Sequence, residues 1–299
     1  MSKKAATKKT SKKAAKRSAP GWDISPADAL RWTPEVDVRT MDCAGTPGFT
    51  GTRKDGEKLL AERAQELSDL QERLFAEGRS GGTRSVLLVL QGLDTAGKGG
   101  TVRHVVGLVD PQGVAIRGFG VPTAEEREHG YLWRVRNALP KPGYIGVFDR
   151  SHWEQVLVAR VEGLEPEEEW SKHYDEMNAF EAEVAASGTV IVKVALFVSP
   201  DEQKARLAAR LEREDKYWKY NPGDLKTRAK FPEYLDAYQD MLTKGSTDVA
   251  PWHVIPCDKK WFSHLAITEL LTNALRSLDL GWPPADFDVE EQKKLVAAA

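Results

Sequence analysis

The segment that most clearly points to chemistry is a glycine-rich run with one lysine, residues 91–101. Gly92, Gly97 and Lys98 keep the G-x-x-x-x-G-K spacing of a phosphate-binding loop, or P-loop. In such a loop, backbone N–H groups surround phosphate oxygens at the start of a helix, and the lysine adds a positive charge. The spacing therefore predicts a phosphate site; the alternative is a glycine-rich turn with an incidental lysine. The predicted phosphate-binding residues are Gly92, Ala96, Gly97, Lys98, Gly99, Gly100 and Thr101.

Two aspartates are the candidate metal ligands. A standard P-loop continues with Ser or Thr, whose hydroxyl binds Mg²⁺, but Gly99 occupies that position here. Asp94 lies inside the loop, where a carboxylate facing phosphates would be repelled unless a cation lay between them. Asp149 ends a second apolar run, which is the Walker B position. We predict that Asp94 and Asp149 hold Mg²⁺, with Mn²⁺ as an alternative ion; the alternative role for Asp94 is that of a turn residue.

Arg150 directly follows the second aspartate. Its guanidinium can bind a phosphate through two parallel N–H groups, so Arg150 completes a predicted catalytic set with Asp94, Lys98 and Asp149. The alternative is a structural Asp–Arg pair at the start of the next helix. Ser151 and Glu154 also have the spacing of a capping box, and both interpretations are compatible because capping by Ser151 leaves Asp149 free.

A dense basic segment follows later in the chain, interleaved with Tyr and Trp. Arg206, Arg210 and Arg213 recur at four- and three-residue steps, so they share one helix face. In kinases of this type, such a segment closes over the phosphates, so residues 204–232 are predicted to form a lid. The alternative is a charged surface helix. The residues predicted to contact phosphate or polyphosphate from the lid and its surroundings are Arg103, Arg206, Arg210, Arg213, Lys216 and Lys219.

The elements that must position these residues alternate along the chain. Apolar runs predict strands at residues 85–90, 114–119, 144–148, 190–198 and 253–255. Helical patterns lie at residues 57–77, 98–108, 125–138, 151–161, 168–186, 201–212, 232–243 and 260–278. This alternation predicts a three-layer α/β fold with a mostly parallel sheet, helices on both faces and a helical lid. Ligands bind at the carboxyl ends of the strands in such a sheet.

Composition excludes several classes of protein. The 299 residues include 41% hydrophobic residues, enough for a large core, but no apolar run is long enough for a membrane helix or a secretion signal. A cytoplasmic protein is therefore expected. The first 17 residues hold seven lysines, one arginine and no acid, which predicts a disordered basic arm over residues 1–19. The arm could act as a solubilising tail or as a tether to a polyanion. Nucleic acid is a candidate partner only through this arm.

Taken together, these motifs resemble those of the polyphosphate kinase 2 family. The matching motifs are residues 92–100, 148–152 and 250–261, and the resemblance covers residues 46–281. The residues after Arg150 look most like the branch that accepts AMP as well as ADP, although Trp153 stands where tyrosine is expected. The resemblance implies a magnesium and phosphate site at Asp94, Lys98, Asp149 and Arg150. It also implies a homo-oligomer, either a dimer or a tetramer.

The function expected from this resemblance is reversible transfer of phosphate between inorganic polyphosphate and nucleoside mono- or diphosphates. Adenine nucleotides are the expected partners, with guanine nucleotides as an alternative. The competing functions are an ATP-dependent P-loop nucleotide kinase and a non-enzymatic P-loop binding protein. The expected organisation is the arm, an extended segment at residues 20–56, a kinase domain at 57–281 and a tail at 282–299.

Overall fold

The computed structural model describes residues 20–299, and the predicted Lys-rich arm lies outside these residues. Its centre is a five-stranded sheet in which every neighbouring pair of strands is parallel. A separate antiparallel pair of two-residue strands precedes it. The strands in chain order are β1 Gly21–Trp22, β2 Phe49–Thr50, β3 Ser85–Gly92, β4 Val114–Gly118, β5 Ile145–Asp149, β6 Thr189–Phe197 and β7 Trp252–Pro256. The order across the sheet is β4-β5-β3-β6-β7.

Thirteen α-helices and three 3₁₀ turns occur in residues 20–299. The helices are α1 Pro26–Leu30, α2 Arg53–Arg79, α3 Lys98–His104, α4 Ala124–Glu128, α5 Trp133–Arg136, α6 Glu154–Val161, α7 Glu167–Trp170, α8 His173–Ala186, α9 Pro200–Leu211, α10 Gly223–Ala229, α11 Phe231–Gly245, α12 Lys260–Arg276 and α13 Val289–Ala298. The 3₁₀ turns are Val106–Leu108, Pro111–Gly113 and Glu214–Lys219. None of these helices is both long and apolar enough to cross a bilayer.

The central strand β3 shows why the sheet needs helices on both faces. All eight of its residues are buried. Alternate residues point to opposite faces, so Val86, Leu88 and Leu90 join the core formed with α2 and α12, whereas Leu87 and Val89 join the core formed with α6, α8 and α11. The predicted three-layer fold with a mostly parallel sheet is confirmed.

The helix predictions differ from the structure at turns, two of which contain glycine; a third turn, at Ser171 and Lys172, divides the helix predicted over residues 168–186 into α7 and α8. Residues 125–138 form two short helices, α4 and α5, separated by a turn containing Gly130. The helix predicted over residues 98–108 ends at His104 and is followed by the 3₁₀ turn around Gly107. Glycine weakens a helix because it has more conformational freedom to lose than other residues. The elements α1, β1, β2, α10 and α13 were not predicted.

The sheet places both predicted motifs on the same side, at the carboxyl ends of its strands. β3 ends at Gly92 and leads through the glycine-rich loop into α3, which begins at Lys98. β5 ends at Asp149, which lies opposite Leu90 of β3. The carboxyl ends of these neighbouring parallel strands therefore bring the loop and the Asp149–Arg150 pair together.

Candidate active site

The glycine-rich loop between β3 and α3 depends on backbone conformations that its sequence supports. Gly97 has φ 119°, a region that side chains rarely adopt, and it caps the start of α3. A Cβ at Gly92 would lie 2.8 Å from the carbonyl oxygen of Leu196 on β6, so only glycine lets these two backbones approach so closely. Thr95 also has a positive φ, 68°, without the freedom of glycine. The loop is therefore held in shape by its surroundings.

The loop leaves four consecutive N–H groups available to an anion. Within residues 20–299, the N–H groups of Gly97, Lys98, Gly99 and Gly100 have no backbone or side-chain acceptor, as the first turn of a helix requires. The other three predicted contacts are placed differently, and the first of them, Gly92, is the last residue of β3. Ala96 donates its N–H to the Leu93 carbonyl at 3.1 Å. Thr101 is buried and donates its N–H to Gly97 at 2.9 Å.

Lys98 is buried beneath this loop. Its Nζ donates to the carbonyl oxygen of Gly92 at 2.5 Å and to that of Leu93 at 3.4 Å. Burial, and next the positive charge of Arg150, lowers the pKa of Lys98, while Asp94 and Asp149 oppose the shift. An anion bound at the loop would favour the charged form of Lys98. The lysine is therefore well placed to hold a phosphate oxygen.

Arg150 lies between two carboxylates in a left-handed backbone conformation, φ 66°. Its Nη2 donates to Asp94 at 2.9 Å, and its Nη1 donates to Glu154 at 3.1 Å. The predicted capping box is wrong: α6 begins after Trp153, whose N–H donates to the hydroxyl of Ser151 at 3.2 Å. Glu154 instead uses its carboxylate to hold Arg150.

The carboxylates of Asp94 and Asp149 fit a magnesium ion that also takes oxygens from substrate. Asp149 receives no hydrogen bond on its side chain from the residues that the structure describes, whereas Asp94 is paired with Arg150. No group of three or more His, Cys, Asp or Glu suited to a metal occurs among residues 20–299. Mg²⁺ commonly uses only one or two carboxylates and completes its octahedron with water and phosphate oxygens. The donor set of these two aspartates is therefore compatible with Mg²⁺.

A cavity of about 180 Å³ opens beside the loop. It lies between the loop, α6 and α11, and its polar lining includes Asp94, Arg150, Glu154, Glu162, Tyr234 and Tyr238. Tyr234 donates its hydroxyl to Glu162 at 3.0 Å, and Lys230 reaches the other oxygen of Glu162 at 2.7 Å. Glu154, Glu162, Tyr234 and Tyr238 were not predicted as site residues. The four-residue step between the two tyrosines only indicates that they share one face of α11.

The predicted lid residues are spread over α9 and the 3₁₀ turn that follows it. Arg206 is turned inward and donates to the backbone carbonyl of Thr95 in the loop at 2.9 Å. Arg210 donates to Asp224 at 3.1 Å, and burial, and next the charge of Asp94, raises the pKa of Asp224. The remaining residues lie nearer the surface: Arg213 and Lys216 both contact Asp215, Lys219 lies over the ring of Trp218, and Arg103 is exposed on α3.

Several known proteins are similar to this chain over most of its length. An AMP/ADP-polyphosphate phosphotransferase from Meiothermus ruber is 40% identical over 255 residues, which is 85% of this chain and 94% of that protein. An ADP-polyphosphate phosphotransferase from Rhodopseudomonas palustris is 36% identical over 86% of this chain and 88% of its own length. The crystal structure of polyphosphate kinase 2 from Arthrobacter aurescens TC1 has a TM-score of 0.90 and 48% identity, covering 93% of this chain and 98% of the other. Because residues 51–280 also match the family model for polyphosphate kinase 2, this chain belongs to the polyphosphate kinase 2 family.

Proposed function

We propose that this protein is a polyphosphate-dependent nucleotide kinase. It transfers phosphate reversibly between inorganic polyphosphate and adenine nucleotides, converting ADP to ATP and AMP to ADP. Two relatives named for this transfer, aligned over most of this chain, support the activity. The observation that carries the proposal is the arrangement at the strand ends, where the buried Lys98, the four unpaired N–H groups of residues 97–100 and Arg150 all lie in or beside the P-loop.

The chemistry is an in-line displacement. An oxygen of the nucleotide's terminal phosphate attacks the terminal phosphorus of polyphosphate, and the bond from that phosphorus to the bridging oxygen breaks, so polyphosphate leaves one unit shorter. Lys98 and the N–H groups of residues 97–100 hold the phosphoryl oxygens. Arg150 neutralises charge that develops between the attacking and leaving oxygens.

Asp94 and Asp149 would hold Mg²⁺, which supplies charge neutralisation and orients the phosphates when it is bound. The chain's own contribution to that step is the position of the two carboxylates. Asp149 is fixed by the parallel pairing of β5 with β3, and Asp94 by the loop. Part of the nucleotide would occupy the cavity beside Arg150, whose lining includes Tyr234, Tyr238 and Glu162. A homo-oligomeric state and a cytoplasmic location are further parts of this proposal and follow from the resemblance.

The test is a coupled assay with purified protein, Mg²⁺ and long-chain polyphosphate, run separately with AMP, ADP and GDP. We expect product from AMP and ADP, and a loss of at least about a hundredfold in kcat for Asp149→Asn because the metal loses a ligand. Asp248→Asn is the matched control, since Asp248 is fully exposed and only contacts Arg31. Activity with ATP as donor and none with polyphosphate would replace this proposal with an ATP-dependent kinase.

A further inference from the structure

Helix α9 contacts the P-loop at two consecutive carbonyl groups. Gln203 donates through Nε2 to the carbonyl oxygen of Asp94 at 3.3 Å, and Arg206 donates through Nη1 to that of Thr95 at 2.9 Å. Both side chains sit on the same helix, one turn apart, and both are buried. The part of the loop that carries Asp94 is therefore attached directly to α9.

Arg206 has at most one N–H group left for a polyanion, because four of its five N–H groups already have acceptors. Its Nη2 also donates to the carbonyls of Cys257 at 2.6 Å and Asp258 at 3.2 Å, and its Nε donates to Glu202 at 2.7 Å. Its side chain is only 9% exposed. The guanidinium thus joins three segments, namely the loop, α9 and the turn after β7, and faces the interior.

The residue that Arg206 holds is the strained one. Thr95 has φ 68°, a left-handed conformation that is unfavourable for a residue other than glycine. Such a conformation persists only where the surrounding structure fixes it. Arg206 supplies that constraint next to Asp94, the predicted metal ligand.

Gln203 continues the connection into the predicted lid. Its Oε1 accepts from Nη1 of Arg228 on α10 at 2.8 Å, and the same Nη1 donates to the carbonyl of Pro200 at 2.7 Å. Arg228, Gln203 and the Asp94 carbonyl therefore form one continuous chain of hydrogen bonds. A displacement of α10 would therefore act on the loop through these hydrogen bonds.

We propose that Arg206 and Gln203 are positioning residues that set the P-loop geometry, and that Gln203 transmits the position of α10 to Asp94. Arg206 is thereby reassigned from a polyphosphate contact to a support of the loop. The inference rests on the proposed function, because its measure is the rate of phosphoryl transfer. A misplacement of about 1 Å at a reacting group can cost about a hundredfold in rate.

The first test compares Arg206→Gln, Arg206→Lys and the control Arg276→Gln, an arginine that binds Glu66 on the outside of α12. We expect Arg206→Gln to lower kcat at least about tenfold. The factor should be the same with short and long polyphosphate, and the same at low and high salt. Arg206→Lys keeps the charge and one carbonyl contact, so it should recover part of the rate.

Two outcomes would overturn the role of Arg206. If the variant raises the KM for polyphosphate at unchanged kcat, and if this KM effect depends on salt, Arg206 is a direct phosphate contact, since salt screens such contacts. A lowered unfolding temperature with wild-type kcat would make it only structural. If Arg206→Gln does not fold, Arg206→Lys decides between the same outcomes.

The second test is a double-mutant cycle on Gln203→Ala and Arg228→Gln. If Arg228 acts through Gln203, the double variant loses no more kcat than Gln203→Ala alone, whereas multiplied losses would break the proposed link. The failure of the proposed function is separable from the failure of this inference. A wild-type enzyme inactive with polyphosphate refutes the function, and an active wild type with equally active variants refutes the positioning role.

Discussion

Arg150 stands between the two carboxylates of Asp94 and Glu154, in a backbone conformation that few arginines adopt. Glu154, opposed by burial and supported by Asp94, holds the pKa of Arg150 above its usual value. The guanidinium therefore stays charged at any working pH. If Asp94 binds a metal ion, Glu154 is the partner that still orients Arg150.

Replacing the glutamate beside Arg150 should slow the reaction without unfolding the protein. In Glu154→Gln the ion pair with Arg150 becomes a hydrogen bond from a cation to a neutral amide, which is weaker because the attraction between opposite charges is lost. We expect kcat to fall about tenfold, with a smaller change in KM for polyphosphate. Initial rates at saturating ADP and polyphosphate measure it.

The matched control is Glu183→Gln, because Glu183 forms a comparable pair with Arg136 at 2.7 Å, but both side chains are largely exposed. Exposed pairs contribute little. Equal rates for wild type and Glu154→Gln would show that Arg150 does not need Glu154 for its position.

The site residues found from the sequence are those that lie within a local motif. Gly92, Lys98 and Asp94 share one loop, and Asp149 with Arg150 ends one strand, so spacing alone predicts them. Gln203, Asp224 and Tyr234 come from elements that are distant in sequence. No periodicity reports such tertiary contacts. The contacts of Arg206 were not predictable for the same reason, since a basic helix face does not indicate which arginine turns inward.

At the scale of elements, strands β3, β5, β6 and β7 were predictable because each is a mostly apolar run that is almost wholly buried, whereas the edge strand β4 is partly exposed. Strand β6 contains one exception, Lys193, which is fully buried and contacts Glu181 of α8. Glu181 also accepts from the indole of Trp153 at 2.8 Å and lies 3.1 Å from His152. Residues of β6, α8 and the start of α6 thus share one buried polar network. This network attaches the segment after Arg150 to the core.

Removing the lysine of this network should destabilise the whole domain. Lys193→Met leaves the carboxylate of Glu181 buried without its cation, and breaking a buried pair costs about 3–5 kcal/mol. The double variant Glu181→Gln/Lys193→Met removes the stranded charge and should recover part of that loss. The measurement is the free energy of unfolding in urea.

Lys172→Met provides the comparison, because Lys172 and its partner Glu169 are both exposed. It should change the free energy of unfolding by no more than about 1 kcal/mol. A loss for Lys193→Met as small as that of Lys172→Met would mean that water reaches Glu181 and solvates it.

At the scale of the whole molecule, the N-terminal segment closes one edge of the sheet. Arg31 forms a bridge with His253 of β7, and the N–H of Trp32 donates to the carbonyl of Trp252 at 2.9 Å. The segment expected to be extended therefore covers an edge strand, which prevents that edge from pairing with other chains. His253 becomes buried as a result.

This burial makes the stability of the folded protein depend on pH. Burial lowers the pKa of His253 to about 4, and burial with the nearby His104 lowers that of His264 to about 4 as well. An unfolded histidine titrates near 6.5, so between these values the unfolded chain binds more protons than the folded one. The contribution of these two histidines to the free energy of unfolding is therefore fully present above about pH 6.5 and is lost as the pH falls toward 4.

The variant that isolates this effect is His253→Asn, whose amide can replace the ring N–H that meets the carbonyl of Lys193 at 3.2 Å. We expect the free energy of unfolding of the wild type to fall by about 1–2 kcal/mol per buried histidine between pH 7.5 and pH 5. The fall for His253→Asn should be smaller by the contribution of one histidine. Urea unfolding at the two pH values gives both numbers. If the two proteins lose the same free energy, protonation of His253 does not contribute, and the acid sensitivity belongs to His264 and the carboxylates.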